Sequence, residues 1–229
     1  MTKVAIVTGA ARALFHAETF RFEDKGAGLA ADGHDVAVNG LARKQDDLDQ
    51  LAKEIQALGR RSIVVIADVS KESQVREMVQ STVDALGHLD IMVANAGVLL
   101  KPEPILELSE DLFDQTMAVN CKGTLYCYRA AATQMIKQGS GGRIIGMTSV
   151  VGLRSVAAGL SYATSKFAIR AITQTAALEW GQHNITVNAC APGVIATEMA
   201  TAARVVQEVR EFQDEVLFET PEYPHSDIV

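Results

Sequence analysis

The chain is poor in the residues that mark several classes of protein. Among its 229 residues are three cysteines, five prolines and one tryptophan, and aromatic residues make up only 5%. Cys121, Cys127 and Cys190 lack the spacing of metal ligands, so we interpret them as reduced packing thiols and predict no metal site. The sequence also has no run of about 18 uncharged apolar residues, which argues against a membrane-spanning helix.

Positive charge is scarce as well. The 21 lysines and arginines are outnumbered by 28 acidic residues, which gives a net charge of −7. Sequence-independent binding of nucleic acid needs a clustered positive face, so this balance argues against it. The chain enters a predicted strand at Val4, which leaves no room for a signal peptide. We therefore expect a cytoplasmic protein with no membrane or nucleic-acid partner.

Apolar residues are abundant and regularly placed. They make up 48% of the sequence, enough to cover both faces of a sheet. Short runs rich in Val and Ile are apolar on both alternations, as in a parallel sheet with helices on both faces. These predicted strands are Val4–Thr8, Asp35–Val38, Ser62–Val69, Leu89–Ala94, Arg143–Thr148 and Ile185–Cys190.

Longer amphipathic segments separate the runs and predict helices. One has an apolar stripe over residues 48–58, one follows Ser70 as a predicted N-cap, one opens at Ser109 with Glu110 and Asp111 in its first turn, and another spans residues 161–180. The alternation of strands and helices predicts an α/β fold: a doubly wound parallel sheet of about six strands, Rossmann-like, with right-handed crossovers.

Small and polar residues collect where the predicted strands end. Ligands of doubly wound sheets bind at the carboxyl ends of the strands, so these residues predict a nucleotide cleft along one edge. They are Thr8 and Gly9, Asp68 and Val69, Asn95 to Gly97, Thr148 and Ser149, and Pro192 and Gly193.

The segment at residues 161–174 contains the candidate acid–base group. Tyr162 and Lys166 are one helical turn apart and share one helix face. A phenol has an ordinary pKa of about 10, and a neighbouring ammonium favours the phenolate, so we expect Lys166 to lower the pKa of Tyr162. Ser149 ends a strand at the same cleft and could hold a substrate oxygen. Asn120, within a predicted helix, could hold a water that links Lys166 to solvent.

Together these residues resemble the short-chain dehydrogenase/reductase family. The resemblance covers residues 3–199 apart from residues 13–28. It depends on the order and spacing of the whole set, because a Tyr-x-x-x-Lys pair alone is a weak signal. The set consists of the strand-end residues above, Asn120, the segment Tyr162–Lys166 and Thr197.

The resemblance implies a role for each matching residue. Tyr162 would be the catalytic acid or base, and Lys166 would assist it and bind the nicotinamide ribose. Ser149 would orient the substrate oxygen, and Asn120 would complete a proton relay. NAD(P)(H) would carry the hydride. The predicted cofactor-binding residues are Thr8, Gly9, Arg12, Arg43, Asp68, Val69, Asn95, Ala96, Gly97, Tyr162, Lys166, Pro192, Gly193 and Thr197.

The sequence departs from the family at the phosphate-binding loop. The family pattern Thr-Gly-x-x-x-Gly-x-Gly places glycines where backbone approaches a pyrophosphate, whereas Ala13 and Phe15 stand at the second and third of them. This stretch is either an evolved variant or the product of a different splice or reading-frame choice. Two functional hypotheses follow: an active enzyme with an altered loop, and an impaired member of the fold that binds cofactor weakly and acts as an oligomer partner.

The residues after the second strand bear on the choice of cofactor. Gly40 stands where the family often has an acid that binds the adenosine ribose of NAD(H). Arg43 and Lys44 could pair with a 2′-phosphate, although they also suit an ordinary solvated helix start. Both cofactors stay open, with NADP(H) slightly favoured.

The last part of the chain also departs from the family. We place one NAD(P)-binding and catalytic domain at residues 1–199, and residues 200–229 form its C-terminal helix and tail in place of the usual final strand. The sixth strand would then be an exposed edge. We expect a homodimer or homotetramer through the helices at residues 109–138 and 161–181.

Apolar side chains surround the predicted catalytic residues, with no nearby arginine cluster. They are Leu99, Leu100, Val150, Val151, Leu153 and Met199. This lining favours a small or medium hydrophobic ketone or secondary alcohol. The pattern is similar both to acetoin/diacetyl (butanediol) reductases and to 3-oxoacyl carrier-protein reductases, and the sequence does not decide between them.

Overall fold

A computed structural model of the chain describes residues 2–11 and 25–193. They form a six-stranded parallel sheet with the strand order β3-β2-β1-β4-β5-β6. The predicted doubly wound α/β fold is confirmed. The strands are β1 (Val4–Val7), β2 (Asp35–Gly40), β3 (Ser62–Ile66), β4 (Ile91–Ala94), β5 (Gly142–Met147) and β6 (Ile185–Cys190).

Helices fill the connections between the strands. A π-helical turn at Met117–Lys122 joins α4 to α5 without a break. Within the described residues, none of the helices has the combination of length and apolar content that crossing a membrane requires. The helices are α1 (Lys25–Ala31), α2 (Gln45–Ala57), α3 (Glu72–Leu86), α4 (Glu110–Thr116), α5 (Gly123–Gln138) and α6 (Leu160–Trp180).

The predicted N-cap Ser70 is wrong, whereas Ser109, where a helix was predicted to begin, does cap one. The Ser109 hydroxyl oxygen accepts a hydrogen bond from the Leu112 N–H at 3.3 Å and so caps α4. The residue that precedes α3 is Lys71, and the Ser70 hydroxyl instead donates to Asp68 Oδ1 at 2.8 Å. Ser70 therefore belongs to the loop that follows β3, where its N–H and its hydroxyl both donate to the Asp68 carboxylate.

Strand β1 shows why the strands are apolar on both alternations. Val4 and Ile6 are completely buried in the core on the face covered by α3, α5 and α6. Ala5 and Val7 point the other way and pack in the core formed with α1 and α2. Each strand residue near the centre of the sheet therefore needs an apolar side chain, whichever face it occupies.

The position of β1 creates the cleft. It pairs with β2 on one side and β4 on the other, so the winding of the chain reverses at this point. Its pairing with β4, and that of β4 with β5, brings the residues after these three strands to one edge. β6 is an edge strand of the described sheet. The altered loop and the predicted helix at residues 200–218 fall largely or wholly outside the described residues.

Tyr128 holds the helix layer against the sheet. Its side chain is completely buried, and its hydroxyl hydrogen-bonds with Thr173 Oγ1 of α6 at 3.0 Å. Gly146 of β5 lies against the hydroxyl end of this side chain: a Cβ there would overlap the phenol oxygen and lie 3.2 Å from Ile169 Cγ2. Burial raises the pKa of Tyr128 to about 12, so this phenol stays protonated and is a structural group.

We predict that Gly146→Ala destabilises the protein by about 1–3 kcal/mol, because the added methyl group displaces a buried ring. Urea or thermal unfolding would measure the loss. Gly181→Ala is the matched control, since a Cβ at Gly181 meets nothing within 4 Å, and its effect should stay within about 0.5 kcal/mol.

A double-mutant cycle tests the cause of that loss. Tyr128→Phe removes the oxygen that the new methyl group would meet, at its own cost of about 1 kcal/mol for the lost hydrogen bond. The double variant should therefore lose less stability than the sum of the two single variants. Simple additivity would show that the phenol oxygen is not the obstacle.

Candidate active site

Tyr162 lies in the first turn of α6, where the helix starts at the sheet edge. Its hydroxyl hydrogen-bonds with Ser149, and Lys166 Nζ lies 5.4 Å from the centre of its ring. The predicted sharing of one helix face is confirmed by this distance. The structure thus brings together a hydroxyl that can hold an oxygen, a phenol that can move a proton, and a cation.

The expected direction of the Tyr162 pKa was wrong. Burial raises the pKa of this phenol, and the hydrogen bond with Ser149 lowers it by less. The ammonium of Lys166 is directed to the backbone, since Nζ donates to the Met147 carbonyl at 2.7 Å. Tyr162 is therefore protonated at neutral pH, which suits a proton donor.

Ser149 is held by the turn that follows β5. Its hydroxyl oxygen accepts from the Val151 N–H at 3.2 Å. The Val150 N–H donates to the Pro192 carbonyl at 3.0 Å, which ties this turn to the end of β6. Pro192 and Gly193 thus lie beside the serine turn, as the strand-end pattern predicts.

Asn120 occupies the π-helical turn and is completely buried. Its Oδ1 accepts from the Val98 N–H at 2.8 Å, and its Nδ2 donates to the Val98 carbonyl at 2.9 Å and to Ser165 Oγ at 3.0 Å. Both amide protons are thus used within the protein. The side chain joins the segment after β4 to α6, so any proton relay through Asn120 would have to use its backbone.

The residues that follow β1 and β4 lie side by side and form a strip along the sheet edge. Thr8 Oγ1 accepts from the N–H groups of Asn95 and Ala96, and Asn95 Nδ2 donates to the Thr8 carbonyl at 2.8 Å. Gly9 has φ +63°, and a Cβ there would lie 2.8 Å from Ala96 Cα. A side chain at Gly9 is therefore excluded both by its conformation and by space.

These residues fit a nicotinamide dinucleotide along this edge. A Cβ at Gly97 would lie 3.3 Å from Asn120 Oδ1 and 3.7 Å from Lys166 Nζ. The Lys166 ammonium therefore lies close to the backbone of Gly97. Such a strip at the topological switch point is where doubly wound sheets take a dinucleotide. Thr8, Gly9, Asn95, Ala96 and Gly97 could form its floor, and Lys166 could reach its ribose.

The remaining predicted cofactor residues lie apart from this strip or outside the described residues. Asp68 is half-buried and accepts from the Ser70 N–H at 2.9 Å. Val69 is 6% exposed and packs in the core, where a Cβ on Gly123 would lie 2.9 Å from its Cγ2. Arg43 is exposed in the turn after β2. Arg12 and Thr197 are not among the described residues.

Two hydroxyl groups near Tyr162 have roles that sequence reasoning did not assign. The Ser165 hydroxyl donates to the Tyr162 carbonyl at 2.7 Å, and the Thr148 hydroxyl donates to the Lys166 carbonyl at 2.8 Å. The sequence places both residues next to predicted catalytic residues, Thr148 at a strand end and Ser165 within the segment Tyr162–Lys166, but does not indicate their contacts. Their acceptors are backbone carbonyls, which leave no mark in a sequence.

Among the described residues, no group of three or more His, Cys, Asp or Glu side chains could hold a metal ion. Cys127 is buried, and burial raises the pKa of its thiol to about 12, which makes it unreactive.

Comparisons with known proteins agree with this geometry. The family described as short chain dehydrogenase matches residues 3–208. A short-chain dehydrogenase/reductase of Armillaria gallica is 44% identical over 197 residues, which cover 86% of this chain and 72% of that protein. An (S)-acetoin-forming diacetyl reductase of Staphylococcus epidermidis is 39% identical over 199 residues, covering 87% and 74%.

A solved structure gives the same result in three dimensions. Carveol dehydrogenase from Mycobacterium avium, crystallised in complex with NAD, matches with a TM-score of 0.79 and 28% sequence identity, over 86% of this chain and 72% of that one. The family match spans most of the chain and includes the segment with Ser149, Tyr162 and Lys166. The chain therefore belongs to the short-chain dehydrogenase/reductase family and is an oxidoreductase of that type.

Proposed function

We propose that this enzyme reduces a small or medium apolar ketone, or oxidises the corresponding secondary alcohol, with a nicotinamide cofactor. The observation that carries the proposal is the convergence of the Ser149 hydroxyl, the Tyr162 phenol and the Lys166 ammonium at one point of the sheet edge. The described residues give no support to the alternative of an impaired protein that serves only as an oligomer partner.

The residues divide the work by their chemistry. A bound nicotinamide cofactor would supply or accept the hydride. Ser149 holds the substrate oxygen, and Tyr162 gives that oxygen its proton during reduction. The Lys166 ammonium beside the ring favours the phenolate that remains, since opposite charges at this separation attract. In alcohol oxidation the proton moves the other way, from the alcohol to the phenolate.

The lining of the cleft supports an apolar substrate. Val151 is buried within the turn that follows Ser149, Leu99 and Leu100 are half-buried after β4, and Leu153, at the end of the serine turn, is 54% exposed. Acetoin or diacetyl fits this lining, and so does the acyl end of a 3-oxoacyl thioester. A diacetyl reductase and a 3-oxoacyl-[acyl-carrier-protein] reductase of Staphylococcus epidermidis are both among the relatives, at 39% and 35% identity, so the relatives are compatible with both classes. Comparing kcat/KM for diacetyl with that for a 3-oxoacyl thioester would decide between them.

The predicted homodimer or homotetramer remains a proposal of the same kind. Apolar side chains are exposed on the helices expected to form the interface: Ile136 on α5, and Phe167 and Leu178 on α6. Leu178 is 87% exposed, which is unusual for leucine on a helix and favours a covered surface in the assembled protein.

We predict that Tyr162→Phe lowers kcat for diacetyl reduction by about 10²–10⁴-fold, because the variant has no proton to donate. The dissociation constant for NADPH, followed by nicotinamide fluorescence, should change less than twofold because the ring remains. Tyr126→Phe, which removes a phenol hydroxyl from α5, is the matched control. Turnover at the wild-type rate in Tyr162→Phe would refute the assigned acid.

The raised pKa of Tyr162 predicts opposite pH profiles in the two directions. Reduction needs the protonated phenol, which is fully present below its pKa, so kcat/KM should be flat from about pH 6 to pH 9 and fall above that range. Oxidation needs the phenolate and should rise with pH over the same range. A reduction profile that falls between about pH 6 and pH 8 would contradict this assignment.

Cofactor choice is tested at the turn after β2. Lys44 is already paired with Asp47 at 2.8 Å, which leaves Arg43 as the better partner for a 2′-phosphate. Arg43→Ala should therefore weaken NADPH binding roughly tenfold and leave NADH binding within about twofold. Lys44→Ala is the control, with little effect on either. Tighter binding of NADH than of NADPH by the unmodified protein would show that the slight preference for NADP(H) is wrong.

A further inference from the structure

We propose that Thr148 is a positioning residue, whose hydroxyl sets Lys166 and Tyr162 at the correct distance from Ser149. This proposal rests on the proposed function, since it assigns a second role at the same site. It starts from one contact: Thr148 Oγ1 donates to the Lys166 carbonyl at 2.8 Å. Thr148 directly follows β5 and directly precedes Ser149.

Thr148 is itself rigidly placed. Its N–H donates to the Cys190 carbonyl of β6 at 2.9 Å, so its backbone is held by the sheet. Its side chain is 7% exposed and therefore has little freedom to choose another partner. The hydrogen bond from its hydroxyl to Lys166 therefore fixes α6 relative to the edge of the sheet.

Lys166 is held at both ends by consecutive residues. Its carbonyl accepts from Thr148, and its ammonium donates to the carbonyl of Met147 at 2.7 Å. Lys166 is 6% exposed, so both contacts are shielded from water. These two bonds fix the first turns of α6 against the strand that ends at the catalytic serine.

Gly152 makes room for this arrangement. A Cβ there would overlap the Thr148 hydroxyl and lie 2.9 Å from the Lys166 carbonyl oxygen. The turn after Ser149 therefore closes directly over the Thr148–Lys166 bond. Any residue larger than glycine would separate the serine turn from α6.

The physical consequence is one of distance. Ser149 and Tyr162 must reach one substrate oxygen at the same time, yet they belong to different elements. A displacement of about 1 Å between catalytic groups can lower the rate 10²-fold. A contact that fixes β5 against α6 between these two residues therefore controls kcat without touching the substrate.

The variants are chosen to remove only the hydroxyl. Thr148→Val keeps the shape and loses the bond, whereas Thr148→Ser keeps the bond. The matched control is Thr82→Val: Thr82 is completely buried in α3, far along the chain from the site, and its hydroxyl donates to the Met78 carbonyl at 2.9 Å. Thermal unfolding of all three variants shows whether Thr82→Val and Thr148→Val lose comparable stability.

The first measurement is steady-state kinetics of diacetyl reduction. Thr148→Val should lower kcat on the order of tenfold or more and leave KM for diacetyl within about twofold, because substrate binding does not use the lost bond. Thr148→Ser should recover kcat to within about threefold, and Thr82→Val should match the wild type. An unchanged kcat in Thr148→Val, or no recovery in Thr148→Ser, overturns the proposal.

The second measurement does not depend on turnover. Brief acetylation by acetic anhydride, quantified by mass spectrometry, reports how accessible Lys166 is relative to the exposed Lys137 of α5. Thr148→Val should raise the relative rate at Lys166 at least about fivefold, and Thr82→Val should not. Equal rates in the two valine variants overturn the proposal. If the wild type reduces no carbonyl compound, the proposed function fails. This measurement still tests whether the Thr148 hydroxyl holds Lys166 in place.

Discussion

The junction between the carboxyl end of β5 and the first turns of α6 is the constraint on which the site depends. The Ser149 hydroxyl and the Tyr162 phenol, which we propose as catalytic groups, follow a strand and lie on a helix respectively, and only their relative placement makes them one site. Two hydrogen bonds of Lys166 span this junction: its carbonyl accepts from the Thr148 hydroxyl, and its ammonium donates to the Met147 carbonyl. A third link runs through Asn120 and Ser165, which connects the segment after β4 to the same helix. The site is thus held from two neighbouring strand ends at once.

Two tyrosines of this protein show how environment decides the role of one chemical group. Tyr128 is closed into the core between β5 and α6, and its hydroxyl is shared with Thr173. Tyr162 stands at the edge of the sheet, half-buried, with its hydroxyl on Ser149 and a cation beside its ring. Burial raises the pKa of both phenols. Of these two, Tyr162 is the one at the sheet edge, where a bound ligand could receive its proton. Its position, and not its acidity, is the reason that we propose Tyr162 as the catalytic tyrosine.

Asn120 illustrates how a residue can be recognised correctly while its contacts are missed. The sequence places it in a helix near Lys166, and the structure places it there in a π-helical turn. Its amide binds Val98 and Ser165, so it acts as a brace between two elements of the cleft. The same holds for Val69, which is predicted as the last residue of a strand; the strand ends at Ile66, and Val69 packs into the core against Gly123. Neither contact follows from spacing, because each depends on a segment distant in the chain.

The sequence by itself determined the parallel sheet, the helices between its strands and the identity of the hydroxyl, phenol and ammonium groups at its edge. These features follow from local patterns: the apolar period of strands and helices, and the rule that strand ends of a doubly wound sheet face one cleft. Only the tertiary structure decided which backbone carbonyls receive Thr148, Ser165 and the Lys166 ammonium, and that burial raises the pKa of Tyr162. Every residue carries a carbonyl, so no local pattern indicates which carbonyl will accept a given hydrogen bond. Burial depends on elements brought together from across the chain, so no local pattern predicts its effect on a pKa.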